Sequence, residues 1–110
     1  MSDILTDLYE IVEQRKAERE EGSYTAYLFD AGLDKILKKL GEESAETIIA
    51  AKNLACCSNA EEREALKNEA ADLVYHLVVM MSELGVRPEE LEAVLRERMN
   101  KQGNLKTKNA

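Results

Sequence analysis

The stretch Leu33–Ala55, LDKILKKLGEESAETIIAAKNLA, decides the fold. Its positions Ile36, Leu40, Thr47, Ala50 and Leu54 follow the four-three alternation of one helix face, and the seat between Leu40 and Thr47 is Glu43. A charge in a helix seam costs much if it is buried unpaired, so Glu43 is either misplaced or functional. Gly41, just before it, interrupts the helix at some cost, which close approach of another helix or of a phosphate would justify.

Downstream, Ser58 and Glu61 form a capping-box pattern that starts a fourth helix, Ala60–Leu84, stopped by Gly85. Its predicted seam is Leu66, Ala70, Leu73, Leu77, Met80 and Leu84. Pro88 suits the first position of a fifth helix, running to about Met99. Upstream, Ile4, Leu5, Leu8, Ile11 and Val12 make the apolar stripe of a first helix, Asp3 to about Glu20. Ser23 is an N-cap for a short second helix, Tyr24–Ala31, which Gly32 closes. Helices joined by short loops imply antiparallel neighbours, so the expected architecture is an all-α, compact bundle of four to five helices. The 110 residues have room for one core, and a single domain is expected over residues 1–110.

Composition agrees. Ala, Leu, Glu and Lys abound, against one Pro and five Gly, and the balance of 45% hydrophobic to 34% charged residues is that of a globular chain. The formal net charge of −7 argues against a nucleic-acid backbone as partner, but not against a small anion bound through a divalent cation. Basic residues gather in LRERMNKQGNLKTKNA, Leu95–Ala110, which reads as a frayed, solvated end from about residue 100. The charged N-terminus contains no secretory core, and the longest apolar stretch, Leu73–Met81, is far too short for a bilayer. Cys56 and Cys57 are neighbours with no other cysteine to pair with, which suggests a reducing compartment and the cytoplasm.

The carboxylates carry the chemistry. Glu46 projects one turn from Glu43, and Glu69, Asp72, His76 and Val79 form a stripe on the fourth helix beside its seam. If the third and fourth helices pack as an antiparallel hairpin, E-x-x-E faces E-x-x-D and four carboxylates converge. Such a cluster repels itself unless a cation binds within it. Oxygen-only ligands suit magnesium, which keeps waters and substrate phosphates, whereas zinc would want the nitrogen and sulfur ligands that this stretch lacks. The competing reading is solvated charge, since Glu10 with Glu13 and Glu61 with Glu64 repeat the spacing. His76 is weighed as a donor to the Asp72 carboxylate against a hydrogen-bonded core residue, and the core reading is preferred.

The run K-x-x-x-K-x-x-E-E-x-x-E (Lys35, Lys39, Glu42, Glu43, Glu46) followed by Glu69 and Asp72 resembles the all-α NTP pyrophosphohydrolase superfamily. That group includes MazG-type enzymes and dimeric dUTPases. The strings Ser23–Asn53 and Asn68–Val86, nearly half of the chain, are most similar to the phosphoribosyl-ATP pyrophosphohydrolase family of histidine biosynthesis. The resemblance implies hydrolysis of that nucleotide to phosphoribosyl-AMP and pyrophosphate, a need for magnesium, and a homodimer or higher homo-oligomer with sites near subunit contacts. It matches Glu43, Glu46, Glu69 and Asp72 to the family's metal-binding carboxylates.

Within that frame Glu46 is the candidate proton acceptor. Lys39 is a candidate phosphate contact, against the alternative of an ion pair with Glu43, and Lys35 and Asn53 share its helix face. Tyr24 and Thr25 are candidates to close over the substrate. Two alternatives stay open: a house-cleaning nucleotide pyrophosphohydrolase, and a non-catalytic helical dimerisation or adaptor module.

Overall fold

The computed structural model describes residues 3–101, and the expected frayed tail falls almost wholly outside them. Five helices follow one another: α1 Ile4–Ala17, α2 Tyr24–Ala31, α3 Leu33–Cys56, α4 Ala60–Leu84 and α5 Pro88–Asn100. The fold is all-α, and no helix among the described residues is long and apolar enough to cross a membrane.

Each helix starts and stops for local reasons. The side chain of Asp3 accepts from Leu5 N–H at 3.1 Å and that of Ser23 from Ala26 N–H at 3.2 Å, satisfying donors that the first turns leave open. The cap of α4 is Asn59 rather than the expected Ser58: Asn59 Oδ1 accepts from Glu62 N–H at 2.8 Å. Asn and Ser are comparable caps, and the spacing alone does not choose between neighbours. Glu90 turns back to accept from Arg87 N–H at 2.8 Å, closing the start of α5 ahead of Pro88. The first helix ends at Ala17, three residues short of the expected Glu20. Arg19 leaves the helix there to donate to Asp30 on α2 at 2.8 Å.

α3 and α4 are the long arms and make the most extensive pairing. The connection between them, residues 57–59, is too short for anything but an antiparallel hairpin. The core fills the open end of that hairpin. Tyr9 and Val12 from α1, Leu28 and Phe29 from α2, Ile36 from α3, and Val78, Val79 and Met81 from α4 are buried together. Two predicted stripes are corrected here. On α1, Tyr9 takes the buried place, while Ile4 and Ile11 are exposed. On α4 the buried face is His76, Val78, Val79, Met81 and Ser82; Leu66, Ala70, Leu73, Leu77 and Met80 are half-buried, and Leu84 is exposed. The face turns because α4 meets α1 as well as α3, so the stripe beside the predicted seam is the one covered.

A polar tie closes the far end. The Ser82 hydroxyl donates to Glu13, and Lys16 bridges the Ser82 carbonyl and the Glu13 carboxylate, each at 2.8 Å. Burial works against ionisation of Glu13, but the hydrogen bonds from Lys16 and Ser82 and the charge of Lys16 hold its carboxyl below the usual range.

Gly85 ends α4 at φ 72°, ψ 22°, in left-handed space, with the Val86 N–H returning to the Met81 carbonyl at 2.9 Å. A Cβ there would meet nothing within 4 Å, so only the backbone conformation opposes a side chain. Gly85→Ala is therefore expected to lower stability by about 1 kcal/mol, read as a shift in the urea midpoint at unchanged slope.

Candidate metal centre

The carboxylates stand midway along the hairpin, at the edge of the core. Thr47, four residues after Glu43, sets their register: its hydroxyl lies 2.8 Å from the Glu43 carbonyl on α3 and 3.1 Å from the Glu69 carbonyl on α4. The sequence reading takes Thr47 as an apolar seam residue, whereas its hydroxyl joins the two helices at the level of the cluster.

The antiparallel register brings E-x-x-E against E-x-x-D as expected. One carboxylate oxygen each from Glu43, Glu69 and Asp72 lie within 4.8 Å of one another. Glu43 is 8% exposed, Glu69 is half-buried and Asp72 is exposed, so the group has a closed floor and an open mouth. Glu46 is exposed and is not one of these three, though its charge acts on both Glu43 and Glu69.

The electrostatics match the crowding. Burial pushes the Glu43 carboxyl above its usual range, reinforced by contact with Glu46 and the charges of Glu46 and Asp72, while Lys39 works against it. Glu69 is raised first by contact with Glu46, then by burial and by the charges of Glu46, Glu43 and Asp72. Glu43 Oε2 and Glu69 Oε2 are buried without any hydrogen-bond partner. Two buried acceptors left without a partner are costly unless a cation binds them. Three carboxylate oxygens, all within 4.8 Å of one another, make an oxygen-only donor set. The donor set fits a hard divalent ion.

A pH dependence follows. A carboxyl raised in the folded state stabilises that state fully below its unfolded value of about 4.3, and the contribution is lost as pH rises through the raised value. In chelator, the melting temperature of the wild type is expected to fall between pH 4.5 and 7.5 more steeply than that of Glu43→Gln. Glu13, held low, acts only below this window, and the comparison with the variant removes groups common to both.

The other candidates are placed as follows. Lys39 pairs with Glu42 at 3.4 Å rather than with Glu43, and the charges of Tyr24, Glu42 and Glu43 raise its ammonium. Lys35 has no ion pair among the described residues and lies two turns before Glu43. Asn53, exposed, is two turns beyond Glu46 toward the hairpin turn, about 10 Å along the axis. The Thr25 hydroxyl hydrogen-bonds to that of Tyr75, and Tyr24 Oη lies 3.1 Å from His76 Nε2. His76 is buried, and its Nδ1 is 2.7 Å from the Asp72 carbonyl rather than the Asp72 carboxylate, in keeping with a hydrogen-bonded core residue. Tyr75 carries no local sequence signal and was missed. A Cβ on Gly41 would meet nothing within 4 Å, so no packed helix among the described residues requires the glycine. Cys56 and Cys57 are free and exposed, with sulfurs 3.6 Å apart.

A family model for phosphoribosyl-ATP pyrophosphohydrolase matches residues 5–99, which take in all but the outermost residues of the five helices. The chain belongs to this family. Among similar phosphoribosyl-ATP pyrophosphohydrolases, named phosphoribosyl-ATP pyrophosphatases, that of Streptococcus thermophilus is 52% identical over 102 residues, covering 93% of this chain and 91% of that protein. The Listeria welshimeri protein is 51% identical over 98 residues, covering 89% and 87%. That of Clostridium botulinum is 46% identical over 105 residues, covering 96% and 89%. The chain is thus an all-α pyrophosphohydrolase-family enzyme whose matched region contains the whole carboxylate cluster.

Proposed function

We propose that this chain hydrolyses phosphoribosyl-ATP to phosphoribosyl-AMP and pyrophosphate, with magnesium held by Glu43, Glu46, Glu69 and Asp72. The observation that carries the reading is the pair of orphaned buried oxygens, Glu43 Oε2 and Glu69 Oε2, on two members of the Glu43, Glu69 and Asp72 cluster in a chain from this family. Lys39 partly offsets the charge at Glu43, and a metal–phosphate ligand would neutralise the cluster.

Magnesium, when bound, supplies neutralisation of the charge that grows on the leaving pyrophosphate. The residues of the chain do the rest. Glu43, on the closed floor, fixes the inner side of the site, and Asp72 and Glu46 line its mouth. Glu46, exposed and one turn from Glu43, accepts the proton of the attacking water in this proposal. Lys39 sits one turn before Glu43, and its weak, exposed pairing to Glu42 is readily exchanged for a phosphate oxygen. Lys35 and Asn53 extend the same helix face in opposite directions as further substrate contacts. Tyr24 and Thr25 bound the site from α2.

A homodimer in the cytoplasm completes the proposal. Ile48 and Ile49, on the outer face of the metal-bearing hairpin, are 64% and 60% exposed, which is costly for a lone protomer and ordinary for a subunit contact.

The test is pyrophosphate release from phosphoribosyl-ATP alongside ATP, dUTP and dCTP, with magnesium and then with EDTA. Rapid release from phosphoribosyl-ATP alone, abolished by EDTA, supports the proposal. Release from a free nucleoside triphosphate instead moves the chain to a house-cleaning role with the same site. No release from any of them removes the catalytic reading.

A further inference from the structure

Two neighbouring residues on the first turn of α2, Tyr24 and Thr25, reach two neighbouring residues on α4, Tyr75 and His76. The direction of one of these links follows from chemistry. His76 Nδ1 is 2.7 Å from the Asp72 carbonyl oxygen, which can only accept. Nδ1 therefore carries the proton, Nε2 of the neutral ring is an acceptor, and the Tyr24 hydroxyl, 3.1 Å away, donates to it. The chain of bonds runs from Tyr24 through His76 to the main chain of Asp72, a member of the carboxylate cluster.

The histidine has little freedom to leave this arrangement. It is 4% exposed, and its ring stands edge-on to Tyr75 at 4.9 Å and 82° and to Tyr24 at 5.9 Å and 75°. The Tyr24 ring, by contrast, is 45% exposed. Its hydroxyl reaches His76, which is bonded in turn to the main chain of Asp72, so the ring stands on the α2 side of the carboxylate cluster. Its hydroxyl is thus engaged inside the protein while its ring is open to a ligand. The ring of Tyr27, also half exposed, lies 6.1 Å from it and extends the same aromatic surface.

We infer that His76 is a positioning residue: by accepting the Tyr24 hydroxyl it holds the tyrosine ring at a fixed place over the site, and substrate binding depends on that placement. The inference rests on the proposed function. It assigns Tyr24 a contact through its ring and not its hydroxyl, and it gives the buried histidine a role exerted through another residue.

A double-mutant cycle tests this. Tyr24→Phe keeps the ring and removes only the donor. His76→Asn keeps a donor where Nδ1 stands, for the Asp72 carbonyl, but removes the acceptor at Nε2. His76→Gln places an amide oxygen where Nε2 stands and restores an acceptor for Tyr24. Tyr24→Phe and His76→Asn are each expected to raise KM for phosphoribosyl-ATP about three- to tenfold, the range of one lost hydrogen bond, with kcat within twofold. The double variant should be no worse than either single variant, and His76→Gln should stay near wild type. Effects that multiply in the double variant, a loss falling on kcat, or wild-type kinetics in His76→Asn would overturn the inference. Should His76→Asn not fold, Tyr24→Phe in the His76→Gln background serves: a KM rise equal to that of Tyr24→Phe alone supports the link, and an unchanged KM overturns it. Wild-type protein inactive on phosphoribosyl-ATP overturns the functional proposal and this inference together; active wild type with multiplicative variants overturns the inference alone.

Discussion

Glu43→Gln is expected to fold, to melt higher than the wild type in EDTA, and to release pyrophosphate from phosphoribosyl-ATP about 100-fold or more slowly, the upper range for loss of even an outer partner of a metal site. The two effects have opposite signs for one reason. Glu43 is buried among three other carboxylates, with one oxygen lacking any partner. Without a cation its charge only costs stability, and glutamine removes the charge while its amide can donate to Glu46 or Glu69. The stability gain should be about 1–3 kcal/mol, the penalty of an unsatisfied buried polar group. For a domain of this size each kcal/mol shifts the melting temperature by about 4–8 °C. A variant that melts lower in EDTA and keeps its activity would mean that Glu43 is a structural residue with a partner in solution. Loss of both stability and activity would point to disruption of the hairpin.

The second large effect is stabilisation by magnesium. A ligand that binds only the folded state at 100 times its dissociation constant adds about 2.7 kcal/mol, or about 10–20 °C for a chain of this length. The wild type is expected to gain that shift with magnesium and to lose it with EDTA, and Glu69→Gln is expected to gain little. Glu69 is the informative partner because its carboxyl is raised chiefly by contact with Glu46 and less by burial. Replacing it therefore removes a ligand while disturbing the floor of the site less than a change at Glu43. Equal shifts in wild type and variant would indicate general ionic stabilisation and would count against a site at these residues.

The parts of this arrangement that were legible in the sequence are those written in local spacing. Glu43 stands out because it occupies a seam seat between Leu40 and Thr47, and the structure buries it. The short α3–α4 connection makes the pair antiparallel, which brings the segment of residues 43 and 46 toward that of 69 and 72. Gly85 and Pro88 punctuate as expected because their backbones allow few alternatives.

What was not legible depends on contacts between distant segments. The buried face of α4 is set by its packing on α1 as well as α3, so periodicity offered two adjacent stripes and gave no reason to choose the one containing His76 and Val79. Tyr9 is buried in place of Ile11 because α4 and Arg87 cover it, the guanidinium lying 5.2 Å from the ring centroid. The partners of Tyr24 and Thr25 are about 50 residues away in the chain, and no spacing rule connects them. Thr47 reads as apolar by position, while its hydroxyl carries the cross-helix contact.

Binding of Mn2+, a spectroscopic stand-in for magnesium, tests the central claim most directly: that the carboxylates of Glu43, Glu46, Glu69 and Asp72 hold the divalent ion. The free-ion signal in electron paramagnetic resonance should fall as wild-type protein is added and return on excess Mg2+, while Glu43→Gln and Glu69→Gln should leave the signal nearly unchanged. Depletion of the signal by the variants as strongly as by the wild type, or none by the wild type with phosphoribosyl-AMP and pyrophosphate present, would contradict it.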